Sequence, residues 1–322
     1  MKRFSIKSFL MPAFLGMGII AFSSCENDDD VTTPSGTVTQ VVVGADNFST
    51  LESAVIKANL SATLDGAGPF TVFAPDNNAF TASGVTPAVL NSLTADQVKT
   101  ILLYHTLTSK VTAANVPAGP NAKVITASGD SVFVTKKAGV VYINGVKVAQ
   151  ADINATNGVI HRIERVLMPA SGNIVATAQM PGSGLDSLVK AVTVAATAPG
   201  GDPAILTMLQ NSTLTVFAPN NAAFTQLLSA LSLNNISNIP IGTLTAVLKY
   251  HLVAGRAFSS DLTNGNISMA AGGTTAVNLT NGSNGGPTIT GNGNAGAKAN
   301  IVATNMVARN GVVHVIDKVL LP

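Results

Sequence analysis

The chain has 322 residues, 46% of them hydrophobic and 11% charged, a balance that excludes a disordered protein and leaves room for two cores of ordinary size. Its formal charge of +2 is concentrated at one end: without Lys2, Arg3 and Lys7 there remain 15 basic against 16 acidic residues, so nothing electrostatic points to nucleic acid or to an acidic membrane. A single cysteine excludes a disulfide framework. A domain of about 150 residues buries roughly 68–70% of its unfolded surface and folds without one.

At the N-terminus the three basic residues precede an apolar run from Phe9 to Phe22, shorter than the roughly 20 residues a spanning helix needs. Residues 1–24 therefore read as a signal peptide. Ser23 and Ser24 lead into Cys25, in a segment that resembles a relaxed lipobox with Phe22 where Leu is usual. That resemblance implies that Cys25 is acylated and becomes the mature N-terminus. Residues 25–36, with Glu26, Asp28, Asp29 and Asp30 followed by Thr, Pro, Ser and Gly, read as a solvated tether. The acidic cluster beside the cysteine also resembles the signal that sends lipoproteins of some Gram-negative bacteria to the outer face of the outer membrane.

The first globular unit is expected over residues 37–170. Phe70 to Phe73 predicts a short strand, ended by the Ala74-Pro75 step because proline cannot donate to a sheet ladder. Asp76 or Asn77 can cap the helix that follows, with Phe80 turned into the core. Thr94-Ala95-Asp96-Gln97 fits a capping box, and Val98, Ile101, Leu102 and His105 then share one helical face. Ile143-Asn144-Gly145-Val146 signals a hairpin. The closing segment alternates, with Val159, His161 and Ile163 on one face and Ile160, Arg162 and Glu164 on the other.

The second unit, over residues 171–322, repeats all of this. Phe48-x-x-Leu51-x-x-Ala54-Val55 recurs as Leu185-x-x-Leu188-x-x-Ala191-Val192, and Thr71-Val72-Phe73-Ala74-Pro75 as Thr215-Val216-Phe217-Ala218-Pro219. Asn220 or Asn221 takes the capping position and Phe224 the place of Phe80. Tyr104-His105 returns as Tyr250-His251, and Asn157-Gly158-Val159-Ile160-His161 as Asn310-Gly311-Val312-Val313-His314. The offset grows from 137 to 153 along the copies, which predicts insertions in the loops of the second. The few residues between the copies predict domains in contact.

These ordered blocks, ending in Val166-Leu167-Met168-Pro169 and Val319-Leu320-Leu321-Pro322, resemble the fasciclin (FAS1) family over nearly all of residues 37–322. The resemblance implies an α+β architecture of two tandem β-wedge domains, each a mixed sheet flanked by short helices. It also singles out Asp152-Ile153, which corresponds to a pair tied to cell-surface receptor contact in animal members and makes these two residues the candidate partner contact. The second copy has Asn305-Met306 there.

No catalytic set is visible. All four histidines, His105, His161, His251 and His314, are matched between the copies, which favours a role in holding the fold. Gly291-x-Gly293-x-x-Gly296 mimics a dinucleotide fingerprint but runs into a strand-like segment rather than the helix that a pyrophosphate requires. There is no Gly-x-Ser-x-Gly elbow and no metal-spaced cluster, so neither cofactor nor metal is expected. The absence of tryptophan weakens a stacking platform for sugars or bases. The expectation is a non-enzymatic adhesion or binding protein at the cell surface, membrane-bound by its lipid, with an extracellular protein or glycan as partner. The alternative is a glycan-binding accessory lipoprotein of a polysaccharide uptake system.

Overall fold

A computed structural model describes residues 36–117, 119–283 and 285–322; Cys25 and the segments around it lie outside the described residues. The first unit opens with helices α1 (Val38–Val43), α2 (Ser49–Lys57) and α3 (Ser61–Leu64), followed by strand β1 (Phe70–Pro75). Helices α4 (Asn77–Ala82), α5 (Pro87–Ser92) and α6 (Ala95–Tyr104) come next. Strands β2 (Thr106–Leu107), β3 (Ala122–Ile125), β4 (Ser131–Lys137), β5 (Val140–Ile143), β6 (Val146–Ala155) and β7 (Gly158–Ile163) complete it. The second unit runs α7 (Ile174–Ala178), α8 (Asp186–Thr197), α9 (Ala204–Asn211), β8 (Leu214–Pro219), α10 (Asn221–Ala230) and α11 (Ile241–Lys249). It ends with β9 (Leu252–Ala254), β10 (Gly265–Ser268), β11 (Thr274–Asn278), β12 (Thr288–Gly291), β13 (Ala299–Ala308) and β14 (Gly311–Ile316).

Each unit carries one 7-stranded mixed sheet, in the orders β2-β1-β7-β6-β5-β4-β3 and β10-β11-β12-β13-β14-β8-β9. Strands β1 and β7 pair in parallel, as do β8 and β14, and the other pairings are antiparallel. Both parallel pairs are covered on two faces, which is why their sequences read as nearly unbroken apolar runs. Val72, Ala74 and Ile160 join the core under the helices, whereas Phe73 and Ile163 join a second core beneath the hairpins. Val216, Ala218 and Val313 divide from Phe217 and Ile316 in the same way.

The parallel pairing extends through Pro75, opposite Ile163, so the proline closes the strand from its last position rather than lying beyond it. The caps are Asp76 and Asn220, which accept from Ala79 N and Ala223 N at 2.8 and 2.9 Å. Asn77 and Asn221 instead accept from Thr50 N and Ser187 N and so tie the helix to the start of α2 or α8. The capping box at Thr94 and Gln97 is formed. Gly158 and Gly311 are required by close approach: a Cβ would stand 2.3 Å from Phe70 O and 2.1 Å from Leu214 O across the parallel strands.

One sequence reading needs correcting here. The first insertion of the second copy is not in a loop; it lengthens helices, α8 having 12 residues against 9 in α2 and α9 having 8 against 4 in α3. On the face it shares with Ile160, Arg162 pairs with the buried Asp76 at 2.9 Å, a contact replaced in the second unit by Val315 and Asn220. At Gly291 and Gly293 the chain makes a 3-10 turn against Leu321 and Pro322 and enters β13, so no phosphate-binding helix follows.

Candidate functional site

The histidines that the repeat singled out are buried, and each spends both ring nitrogens on backbone groups. His105 Nδ1 lies 2.8 Å from Ile101 O, and its Nε2 accepts from Leu167 N at 2.9 Å. His251 does the same with Val247 O at 2.7 Å and Leu320 N at 2.9 Å. A carbonyl only accepts, so the proton sits on Nδ1 in both rings. Each ring thereby joins the end of a helix to the closing Val-Leu-x-Pro segment. Burial pushes the pKa of both down to about 4, so the imidazoles are neutral and have no lone pair to spare.

His161 and His314 carry the opposite tautomer. Their Nε2 atoms donate to Val111 O and Ala257 O at 2.8 and 2.9 Å, while Nδ1 accepts from Asp152 N and Asn305 N. The rings stack on Phe73 and Phe217, with centroids 5.8 and 5.5 Å apart. Burial also lowers the pKa of His314 to about 4. The same loop is held by Thr71 and Thr215, whose hydroxyls donate to Ser109 O and Gly255 O and accept from Val111 N and Ala257 N.

Asp152 therefore sits on an anchored ledge. It occupies the left-handed region, φ 59°, where β6 shifts register against β7, and Asn305 has φ 64° in the same place on β13. Asp152 Oδ1 accepts from Ala113 N at 2.9 Å, and Asn305 Oδ1 from Ser259 N at 2.8 Å. The carboxylate thus caps a loop, as an asparagine does in the other copy, yet Asp152 remains exposed. Ile153 is half-buried against the helical core.

Around Asn305 the equivalent face is occupied. The guanidinium of Arg256 lies over the ring of Phe133 at 4.1 Å, while its nitrogens donate to Ala308 O, Arg309 O and Gly311 O. Phe258 packs against Phe133 with centroids 6.0 Å apart. Asn121 Nδ2 donates to Arg256 O, Thr135 Oγ1 to Asp261 Oδ1, and Lys137 Nζ to Ser260 O. A Cβ on Gly145 would meet the Asn305 amide at 2.6 Å. The β3-to-β5 hairpins of the first domain thus dock on the loop after β9 of the second.

Sequence reasoning missed this joint and the hook made by Asn157 and Asn310. Each of those side chains donates to two carbonyls, Leu64 and Gly66 or Leu209 and Ser212, and accepts from the first helix of its unit. The signal for the hook lay in the duplicated Asn-Gly; that for the joint lay in the differences, since Arg256 and Phe258 face Lys110 and Thr112 in the other copy. Among the described residues no three His, Cys, Asp or Glu side chains gather as metal ligands, and no helix is long and apolar enough to cross a membrane.

Two copies of one α+β wedge, each with the same polar residues spent on closing the fold, define a tandem-domain protein. The model of the Fasciclin domain matches residues 46–169 and 194–322, and the chain belongs to that family. Protein sll1483 of Synechocystis sp. is 37% identical over 164 residues, covering 48% of this chain and 89% of that one. Transforming growth factor-beta-induced protein ig-h3 of Oryctolagus cuniculus is 38% identical over 144 residues, 44% of this chain and 20% of that protein. A solved FAS1 domain pair from the insect cell adhesion molecule Fasciclin I aligns over 88% of this chain and 96% of that one, at 18% identity and a TM-score of 0.40. The chain thus spans most of the Synechocystis relative but a fifth of the ig-h3 protein. Domains of this family occur in adhesion proteins.

Proposed function

We propose that the protein is a non-enzymatic binding protein of the cell surface, contacting matrix, cell-surface or protein partners through its FAS1 domains, with the open face around Asp152 as the point of contact. One observation carries the reading. In the second domain this face is docked on another module, while in the first the same ledge is rigidly held, exposed and charged. The lipid on Cys25 holds the protein to the outer membrane, facing outward.

The test immobilises the protein through its N-terminus and measures retention of cells and matrix fractions. Asp152→Asn keeps the cap, as Asn305 does, and removes the charge; retention is expected to fall while melting is unchanged. No retention by the parent protein, or equal retention by the variant, defeats the reading. Capture on a glycan array without retention of cells or matrix replaces it with the polysaccharide-uptake role. For the anchor, Cys25→Ser is expected to release the protein from the membrane fraction.

A further inference from the structure

Both domains have a hollow between their first three helices and the sheet, and the two hollows are built from matching positions. In the first domain it is a crevice of about 30 Å³. In the second it opens to about 80 Å³. The alignment is fixed by hydrogen bonds, since Val38 N and Ile174 N make the same bond to Asn157 and Asn310, and Leu64 O and Leu209 O accept from those same amides.

The substitutions between the copies run in two opposite directions. On the walls and floor, polar residues of the first copy become apolar in the second: Thr39 is Val175, Glu52 is Val189, Ser61 is Leu206 and Thr106 is Leu252. At the mouth the change is reversed, with the exposed Val43 and Ile56 replaced by Gln179 and Thr193, also exposed. One further change makes the room, Ala178 standing where Val42 fills the crevice. An apolar interior under a polar, uncharged rim is the arrangement of a small-molecule pocket, whereas a surface fault would have no reason to invert its rim.

We infer that this hollow in the second domain is a binding site for the end of a single alkyl chain bearing an uncharged polar head. The size selects the chain. An engineered cavity of about 150 Å³ takes a benzene ring, and half of that volume suits a few methylenes with the rest of the molecule leaving through the mouth. The lining offers no cation or carboxylate, so the head is a hydroxyl, ester or amide that meets Gln179 and Thr193. His251 borders the floor, but both of its nitrogens are engaged, which leaves the site with recognition and no chemistry. The site is separate from the open face of the first domain and stands or falls without it.

The experiment is a methyl NMR titration of the full chain with 1-octanol, with benzene as a second probe. Expected are saturable shifts at Ile174, Val189, Leu206 and Leu209, none at Val38, Val55 and Leu64, and none with benzene. Ala178→Val copies the first domain and is expected to abolish the shifts while the Leu320 amide bonded to His251 keeps its resonance. A second variant, Leu206→Ser, restores the polar wall and is expected to weaken binding at least tenfold. The proposal is overturned by an absence of shifts at those methyls, by equal response in both domains, by equal response to benzene, or by undiminished binding in both variants.

Discussion

In the first domain the loop after β2 carries Lys110 and Thr112 and is open; in the second the same loop carries Arg256 and Phe258 and is covered by Phe133. The complementary hairpin behaves likewise. Phe133, Thr135 and Lys137 of the first domain correspond to Ala276, Asn278 and Thr280 of the second. Phe133, Thr135, Lys137, Arg256 and Phe258 are thus present only in the copy that uses them, while Asn121 has a counterpart in Asn264. A head-to-tail contact whose surfaces recurred in both units would propagate from chain to chain. Here neither free end carries the complementary side chains. The lesson is that duplication preserved what closes each wedge and released what faces outward.

The largest expected effect tests the shared part. The pKa of His105, His251 and His314 falls to about 4 in the folded state because burial disfavours the charged ring, against about 6.5 in an unfolded chain. Above pH 6.5 both states are neutral and stability is unaffected by these groups. As the pH falls towards 4 only the unfolded chain gains protons, so stability drains by about 2 kcal/mol per histidine at pH 5. Urea midpoints at pH 7.5 and 5.0 check this, and an unchanged midpoint would contradict neutral buried rings.

Next in size are the parallel-strand glycines. Gly158→Ala and Gly311→Ala each drive a Cβ into a neighbouring carbonyl and are expected to cost about 3–5 kcal/mol, equally in the two domains. A strong inequality in calorimetry would show that one wedge is looser than the other. Smaller again, Arg256→Ala is expected to remove about 2 kcal/mol and split one thermal transition into two. Lys110→Ala, its counterpart on the open loop, should stay within about 0.5 kcal/mol. Equal effects from the two would erase the asymmetry. The smallest change is Asp152→Asn, with stability shifted by less than about 0.5 kcal/mol because the amide makes the same cap.

Much of the fold was legible because it is written twice. The capping box at Thr94, the caps at Asp76 and Asn220 and the helical placement of His105 follow from local spacing, which backbone geometry reads directly. The end of β1 was misjudged at Pro75 because only the parallel partner β7 decides how far the pairing runs. The insertion assigned to loops entered α8 and α9, since a sequence offset gives the number of extra residues but not the helices that absorb them. The candidate site was half legible: Asp152 was named, but its bond to Ala113 joins residues 39 apart in sequence.

By itself the sequence determined the two-copy plan, the α+β class and the residues common to both cores, because repetition and hydrophobic period are local properties of a chain. Only the tertiary structure decided which faces are closed and which are open. Arg256 meets Phe133 across more than a hundred residues, and Ala178 makes a hollow only because helices from three parts of the chain enclose it. Such contacts depend on relative positions in space, and no spacing along the chain encodes them.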